Sequence, residues 1–162
     1  MVTSTPAKTY FWLQFSMHFD RDPGLDYGRL TLNSSRDATL LVLTSTSSFN
    51  GKQYPESFHE RKALIPPNYR LTNANKYQVD LNPVYLPNHA GIQGNFYKIT
   101  PFEVRTDKGG VRSDLGIHAD PNTPGSHGCI VMSVDRFAEF EKWAKKLKSW
   151  GVEKVDLFVT IS

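Results

Sequence analysis

A single cysteine, Cys129, in 162 residues excludes an internal disulfide. No apolar run approaches the ~20 residues of a membrane span, so no membrane span is expected. Residues 1–9 carry one lysine and no unbroken apolar stretch of signal-peptide length. A soluble chain without a classical export signal is therefore expected, although a signal already removed would leave the same sequence. Lysine and arginine form no run outside the stretch holding Lys142, Lys145, Lys146 and Lys148. That stretch lacks the interleaved exposed aromatics of a nucleic-acid surface, so no nucleic-acid partner is expected. No internal repeat, low-complexity tract or interdomain linker is visible, and residues 1–162 read as a single domain.

What remains is ordinary in bulk and aromatic in detail. The chain is 39% hydrophobic and 22% charged, with a formal net charge of +3, values of a globular protein able to bury one core. Ten Phe, seven Tyr and three Trp favour strands. A mildly basic balance suits approach to an anionic cell wall as well as to other anions, and selects no partner.

Alternation sets the strand pattern. Phe11, Leu13, Phe15, Met17 and Phe19 share one face of a half-buried strand, and Asp22-Pro23-Gly24 turns the chain toward a hairpin partner over 27–32. The unbroken run Leu40-Leu41-Val42-Leu43 predicts a strand covered on both faces. Residues 47–62 read as a long surface loop, and Ile65-Pro66-Pro67-Asn68-Tyr69 as a locked turn before a short strand. Residues 77–87 are ambiguous, residues 95–104 read as a strand, and 106–110 as a turn. Phe137, Phe140, Ala144 and Leu147, widened by Trp143 and Trp150, mark a helix over about 134–150, with Ser133 as N-cap and Gly151 as terminator. Lys154 to Ile161 alternates again, with Val155, Leu157, Val159 and Ile161 inward. The fold class that follows is α+β, mainly β, with one helix in the C-terminal half.

Chemistry concentrates between Arg112 and Ser133. The strand-like run Leu115–His118 ends in a polar loop that enters Ser126-His127-Gly128-Cys129 and then Ile130-Val131-Met132. A lone Cys is ordinarily a small buried hydrophobe. Here Gly128 permits close backbone approach, and the N–H groups of Gly128 and Cys129 are candidates for an oxyanion hole. A thiol of ordinary pKa needs a base, which His118 supplies if the loop folds back. His127 has three readings: oxyanion support, a second base, or a solvated loop residue. Ser126 either orients the site or serves as a turn residue. His18, His59 and His89 lie in no constellation and default to structural or surface roles.

His118 with Ser126-His127-Gly128-Cys129-Ile130 resembles the catalytic signature of the L,D-transpeptidase family, cysteine enzymes that remodel bacterial peptidoglycan. The likeness is close over 116–132, and Ile-Pro-Pro-Asn-Tyr resembles the turn before a strand in compact members. The resemblance implies an L,D-transpeptidase-like β-sandwich, Cys129 as nucleophile, His118 as general base, and the backbone carbonyl of Ala119 orienting the imidazole. Ser126, His127 and Gly128 would shape the oxyanion hole, with no cofactor and no metal. The implied substrate is the peptidoglycan tetrapeptide stem, attacked to give a thioester that passes to water, a D-amino acid or another stem.

Two departures bear on that expectation. The loop from Ala119 to Gly125 holds seven residues, shorter than in most members. Val131 stands where most members carry Arg two positions after the nucleophile; Arg112 is then a candidate for binding a substrate carboxylate, its plain alternative being an exposed strand-end residue. Small size, the short loop and the missing signal resemble secreted antibacterial effectors that act in the cell wall or periplasm after export by a route without a signal peptide; a phage-borne cell-wall enzyme would look similar. A cognate immunity protein is then an expected partner by analogy. Two other classes stay open: a zinc-dependent hydrolase using His118, Asp120 and His127 with Cys129, and a non-catalytic cell-wall-binding module.

Overall fold

The computed structural model describes residues 8–18, 26–47, 65–72, 76–89, 91–120 and 128–162. Alternation carries the first meander. Strands β1 (Phe11–Met17), β2 (Gly28–Ser34) and β3 (Ala38–Ser45) pair antiparallel, with Leu13 opposite Leu32 and Phe15 opposite Leu30. Leu13, Phe15, Met17, Leu30 and Leu32 are all buried, as the period of two requires. The last strand, β11 (Lys154–Ile161), lies parallel to β1 and sends Val155, Leu157, Val159 and Ile161 into the same core.

Beyond β11 the sheet continues through β4 (Tyr77–Asp80), β6 (Gly94–Thr100), β9 (Gly116–Ala119) and β10 (Ile130–Met132). β5 (Val84–Leu86) flanks β6, while β7 (Glu103–Arg105) and β8 (Val111–Ser113) form a separate ribbon. The two ends of this path meet. Thr46, just past β3, donates its N–H to Val131 O at 2.8 Å and accepts from Val131 N–H at 2.8 Å. The sheet is thus rolled, and both edges lose part of their open hydrogen-bonding rim.

One helix packs on the inner face. α1 (Val134–Ser149) buries Phe137, Phe140, Ala144 and Leu147, and Ser133 caps it by accepting from Arg136 N–H at 3.3 Å. Phe140 meets the Tyr97 ring edge-on with centroids 5.0 Å apart. Gly151, at φ +85°, takes the left-handed conformation that ends such a helix. The helix is too short and too polar to cross a membrane, and no described helix is long and apolar enough to do so.

The expected α+β fold, mostly sheet with one C-terminal-half helix, is what the described residues form. Several local expectations change. Leu40–Leu43 is not covered on both faces: β3 ends the sheet path, only Leu43 is buried, and Val42 is 55% exposed. The strand expected over 95–104 stops at Thr100, because Pro101 has no N–H to continue the ladder; Glu103 then opens β7. The ambiguous 77–87 segment divides into β4 and β5. After the Pro66-Pro67 turn the chain makes a 3-10 turn over Asn68–Arg70 and a single bridge from Leu71 to Thr106, not a strand. The expected surface loop lies outside the described residues from 48 to 62; Ser47 is buried and accepts from Ile65 N–H at 2.8 Å.

Packing against α1 should therefore dominate stability over the covering of β3. Phe140→Ala is expected to cost about 3–5 kcal/mol, and Val42→Thr to stay within about 0.5 kcal/mol. Urea denaturation of both variants measures the contrast.

Candidate active site

Strand register decides which side chains share a face. Ile117 pairs with Tyr97 on one side and Ile130 on the other, and all three are buried in the core beneath the sheet. The alternate residues Gly116 and His118 therefore project from the outer face, with Phe96 opposite His118 on β6 and Val131 opposite His118 on β10. Cys129 immediately precedes β10. Continued by one residue, the register sets it level with Gly116, a diagonal neighbour of His118 across the β9–β10 pair.

His118 is 7% exposed, and its Nδ1 lies 2.7 Å from Ala119 O. A carbonyl accepts only, so Nδ1 carries the proton and donates, which leaves the Nε2 lone pair as the basic site. Burial pushes the His118 pKa below its usual 6.5; the bond to Ala119 works against that shift, and the charge of His89 adds to it. The Phe96 ring lies 6.0 Å from the imidazole, centroid to centroid, and fills the space above Gly116. A Cβ at Gly116 would collide with that ring, so a larger residue there would displace Phe96 from beside His118.

Cys129 is partly exposed, and its Sγ donates to Asp114 O at 3.3 Å. Asp114 presents that carbonyl from a left-handed backbone conformation, φ +63°. Gly128 has φ +123°, a conformation closed to most side chains, and lies against the Arg112 guanidinium. Arg112 is not an exposed strand-end residue: it is 2% exposed and faces the backbone of the nucleophile's turn.

A cleft of about 160 Å³ opens at the C-terminal ends of β9 and β10, lined by Tyr27, Thr44, Asp120, Val131, Ser133 and Arg136 among others; neither His118 nor Cys129 lines it. It presents both an acidic and a basic side chain. Larger grooves, one beside Trp143 and Trp150 and one at the end of β1, likewise contain neither Cys129 nor His118.

The structure thus brings together Cys129, His118, Gly128, the Ala119 carbonyl and Arg112. Ser126 and His127 lie outside the described residues. Among the described residues, no three His, Cys, Asp or Glu side chains converge as metal ligands. His89 is exposed, in keeping with a surface role, and contributes the smallest of the effects that lower the His118 pKa. It arrives from the loop before β6, and no local spacing in the sequence announces that approach. His18 is likewise exposed, with Nδ1 3.3 Å from Ser162 Oγ. Scans against protein-family models, curated proteins and solved structures found no match to this chain.

The His118 shift has a stability signature. Above pH 6.5 the imidazole is neutral both in the folded and in the unfolded chain. As pH falls through 6.5 the unfolded chain takes the proton first, so stability drops until the lower folded pKa has been passed. The wild type is expected to lose more stability between pH 7.5 and pH 5 than His118→Gln; urea midpoints across that range check the sign.

Proposed function

We propose that the chain is a cysteine acyltransferase of L,D-transpeptidase type, with an L,D-transpeptidase-like fold, acting on peptidoglycan tetrapeptide stems. The observation that carries this reading is the 2.7 Å contact from His118 Nδ1 to Ala119 O. It commits one ring nitrogen to the backbone and frees the other as a base on the face shared with Cys129. The same carbonyl is the one the sequence resemblance gives that role.

In the proposed reaction His118 Nε2 takes the Cys129 thiol proton, and Sγ attacks the carbonyl carbon of the L,D amide before the terminal D-Ala. The tetrahedral oxyanion sits at the N–H groups of Gly128 and Cys129. Its collapse breaks the C–N bond, and the His118 imidazolium returns the proton to the departing D-Ala amine. Water, a D-amino acid or a stem amine then attacks the thioester, gives its proton to His118, and expels the thiolate. A buried, neutral His118 suits both transfers.

Position 131, where the resemblance leads to Arg, is a fully buried Val that closes the roll through Thr46. A guanidinium there would be shut away from water. The short Ala119–Gly125 connection favours trimming or exchange of stems, and with it an antibacterial effector acting in the cell wall or periplasm, countered by a cognate immunity protein.

Mass spectrometry of tetrapeptide muropeptides tests the reading. The wild type is expected to release D-Ala, exchange it, or form dimers; Cys129→Ala should do none of these, and His118→Ala should lose about 10²-fold or more in rate. Rate should fall as pH drops below neutral and His118 takes a proton. Full activity in Cys129→Ala overturns the mechanism, and wild-type binding without conversion makes the chain a cell-wall-binding module instead.

A further inference from the structure

Arg112 is among the largest fully buried side chains of the protein, at 2% exposure. A cation taken that far out of water costs several kcal/mol unless its surroundings compensate, so its neighbours are informative. It projects from β8, where its backbone pairs with Val104, toward the turn that carries the nucleophile. A Cβ placed on Gly128 would stand 2.8 Å from Arg112 Nη2 and 3.6 Å from Leu115 Cδ2. The guanidinium therefore occupies the space a side chain at 128 would fill. Two residues further along, Asp114 turns its carbonyl to the Cys129 thiol at 3.3 Å. One short connector, Arg112 to Leu115, touches both residues of the Gly128-Cys129 turn.

The charges around the thiol come from several elements. Arg112 reaches it from β8, and burial lowers its pKa only to about 10, so it stays charged at neutral pH; the charge of Cys129 acts back on it. His118 stands on β9 and is kept neutral by burial, with His89 behind it. Tyr77, which also acts on Arg112, is held protonated by burial and donates to Pro66 O at 2.9 Å. The Asp114 side chain is turned away, accepting from Ser113 Oγ at 3.4 Å.

We infer that Arg112 is a positioning residue for Cys129: its guanidinium props the Gly128 turn from below, and its positive charge favours the thiolate at Sγ and the oxyanion that forms on the same turn. The inference rests on the reading of Cys129 as the nucleophile. It assigns the guanidinium to the enzyme's own nucleophile, not to a carboxylate of the substrate. Arg is the residue type for the task, because it stays charged when buried and spreads that charge over a planar fork that fits beneath a peptide unit.

The pH dependence of Cys129 alkylation by iodoacetamide, on the full chain, tests this without any substrate. In Arg112→Gln, which keeps an N–H donor on a shorter side chain but carries no charge, the thiol should titrate at least one pH unit higher, leaving about tenfold less thiolate at pH 7. Arg112→Lys should recover part of the shift. On muropeptides, kcat should fall with the thiolate fraction while KM changes little. A folded Arg112→Gln protein whose thiol titrates as in the wild type overturns the inference, as does a loss confined to KM. Should Arg112→Gln fail to fold, the wild type decides. Cys129 must titrate lower in the native protein than in urea, and an equal or higher midpoint overturns the idea. A shifted titration in a chain that never converts muropeptides keeps the inference and refutes the proposed function.

Discussion

Thr46 and Val131 exchange a pair of main-chain hydrogen bonds at 2.8 Å each, and the position of Cys129 depends on them. β10 is three residues long, too short to hold itself in place. It is bonded to β9 on one side, to Thr46 on the other, and runs through Ser133 directly into α1. The helix is in turn fixed by Phe137, Phe140, Ala144 and Leu147 in the core. A short strand tied on three sides gives Cys129 a defined place even though the residue itself sits at the edge of a loop. Packing energy spent far away, at the Tyr97–Phe140 contact, thereby reaches the thiol.

Two glycines translate that scaffold into a site, each for a different steric reason. Gly116 makes room for the Phe96 ring, which walls the imidazole and keeps water off one side of it. Gly128 makes room for Arg112 and adopts a backbone angle that other residues resist. The wall favours a neutral imidazole at His118, and the buried guanidinium places a positive charge at the turn that carries Cys129. Both effects grow as the local dielectric falls, so the burial that lowers the His118 pKa also strengthens the field Arg112 exerts nearby. In the proposed reaction the imidazole has to start neutral to take the thiol proton and then hold that proton for the leaving amine, while a nearby positive charge favours the thiolate so formed.

How much of this was legible in the sequence differs by kind of interaction. Periodicity found β1, β2, β11 and α1, because each has one face in water and one in the core. It misread Leu40–Leu43, since an apolar run does not say whether a strand stands at the end of a sheet. The run Ile-His followed by Ser-His-Gly-Cys brought out His118 and Cys129, which lie eleven positions apart but on paired strands. Arg112 drew notice only as a nearby charge, and its burial is a tertiary fact: β8 belongs to a ribbon whose placement no local pattern encodes. The closing of the roll has no sequence mark at all beyond an apolar residue at 131.

That apolar residue is where fold and chemistry compete. Val131 lies opposite His118 and bonds to Thr46 through its backbone, with its side chain buried to 0% exposure. A charged side chain at this position would either be dragged out of water, at several kcal/mol, or pull β10 away from the seam. The first outcome weakens the fold, and the second moves Cys129 relative to His118. Positive charge near the nucleophile is instead brought in from β8, through a side chain that approaches beneath Gly128 and leaves the seam intact. Closure of the sheet and electrostatic support of the thiol can then be met by different residues, each free of the other's constraint. A sheet sealed by a short strand has to solve that problem before it can hold a reactive side chain at the residue just before that strand.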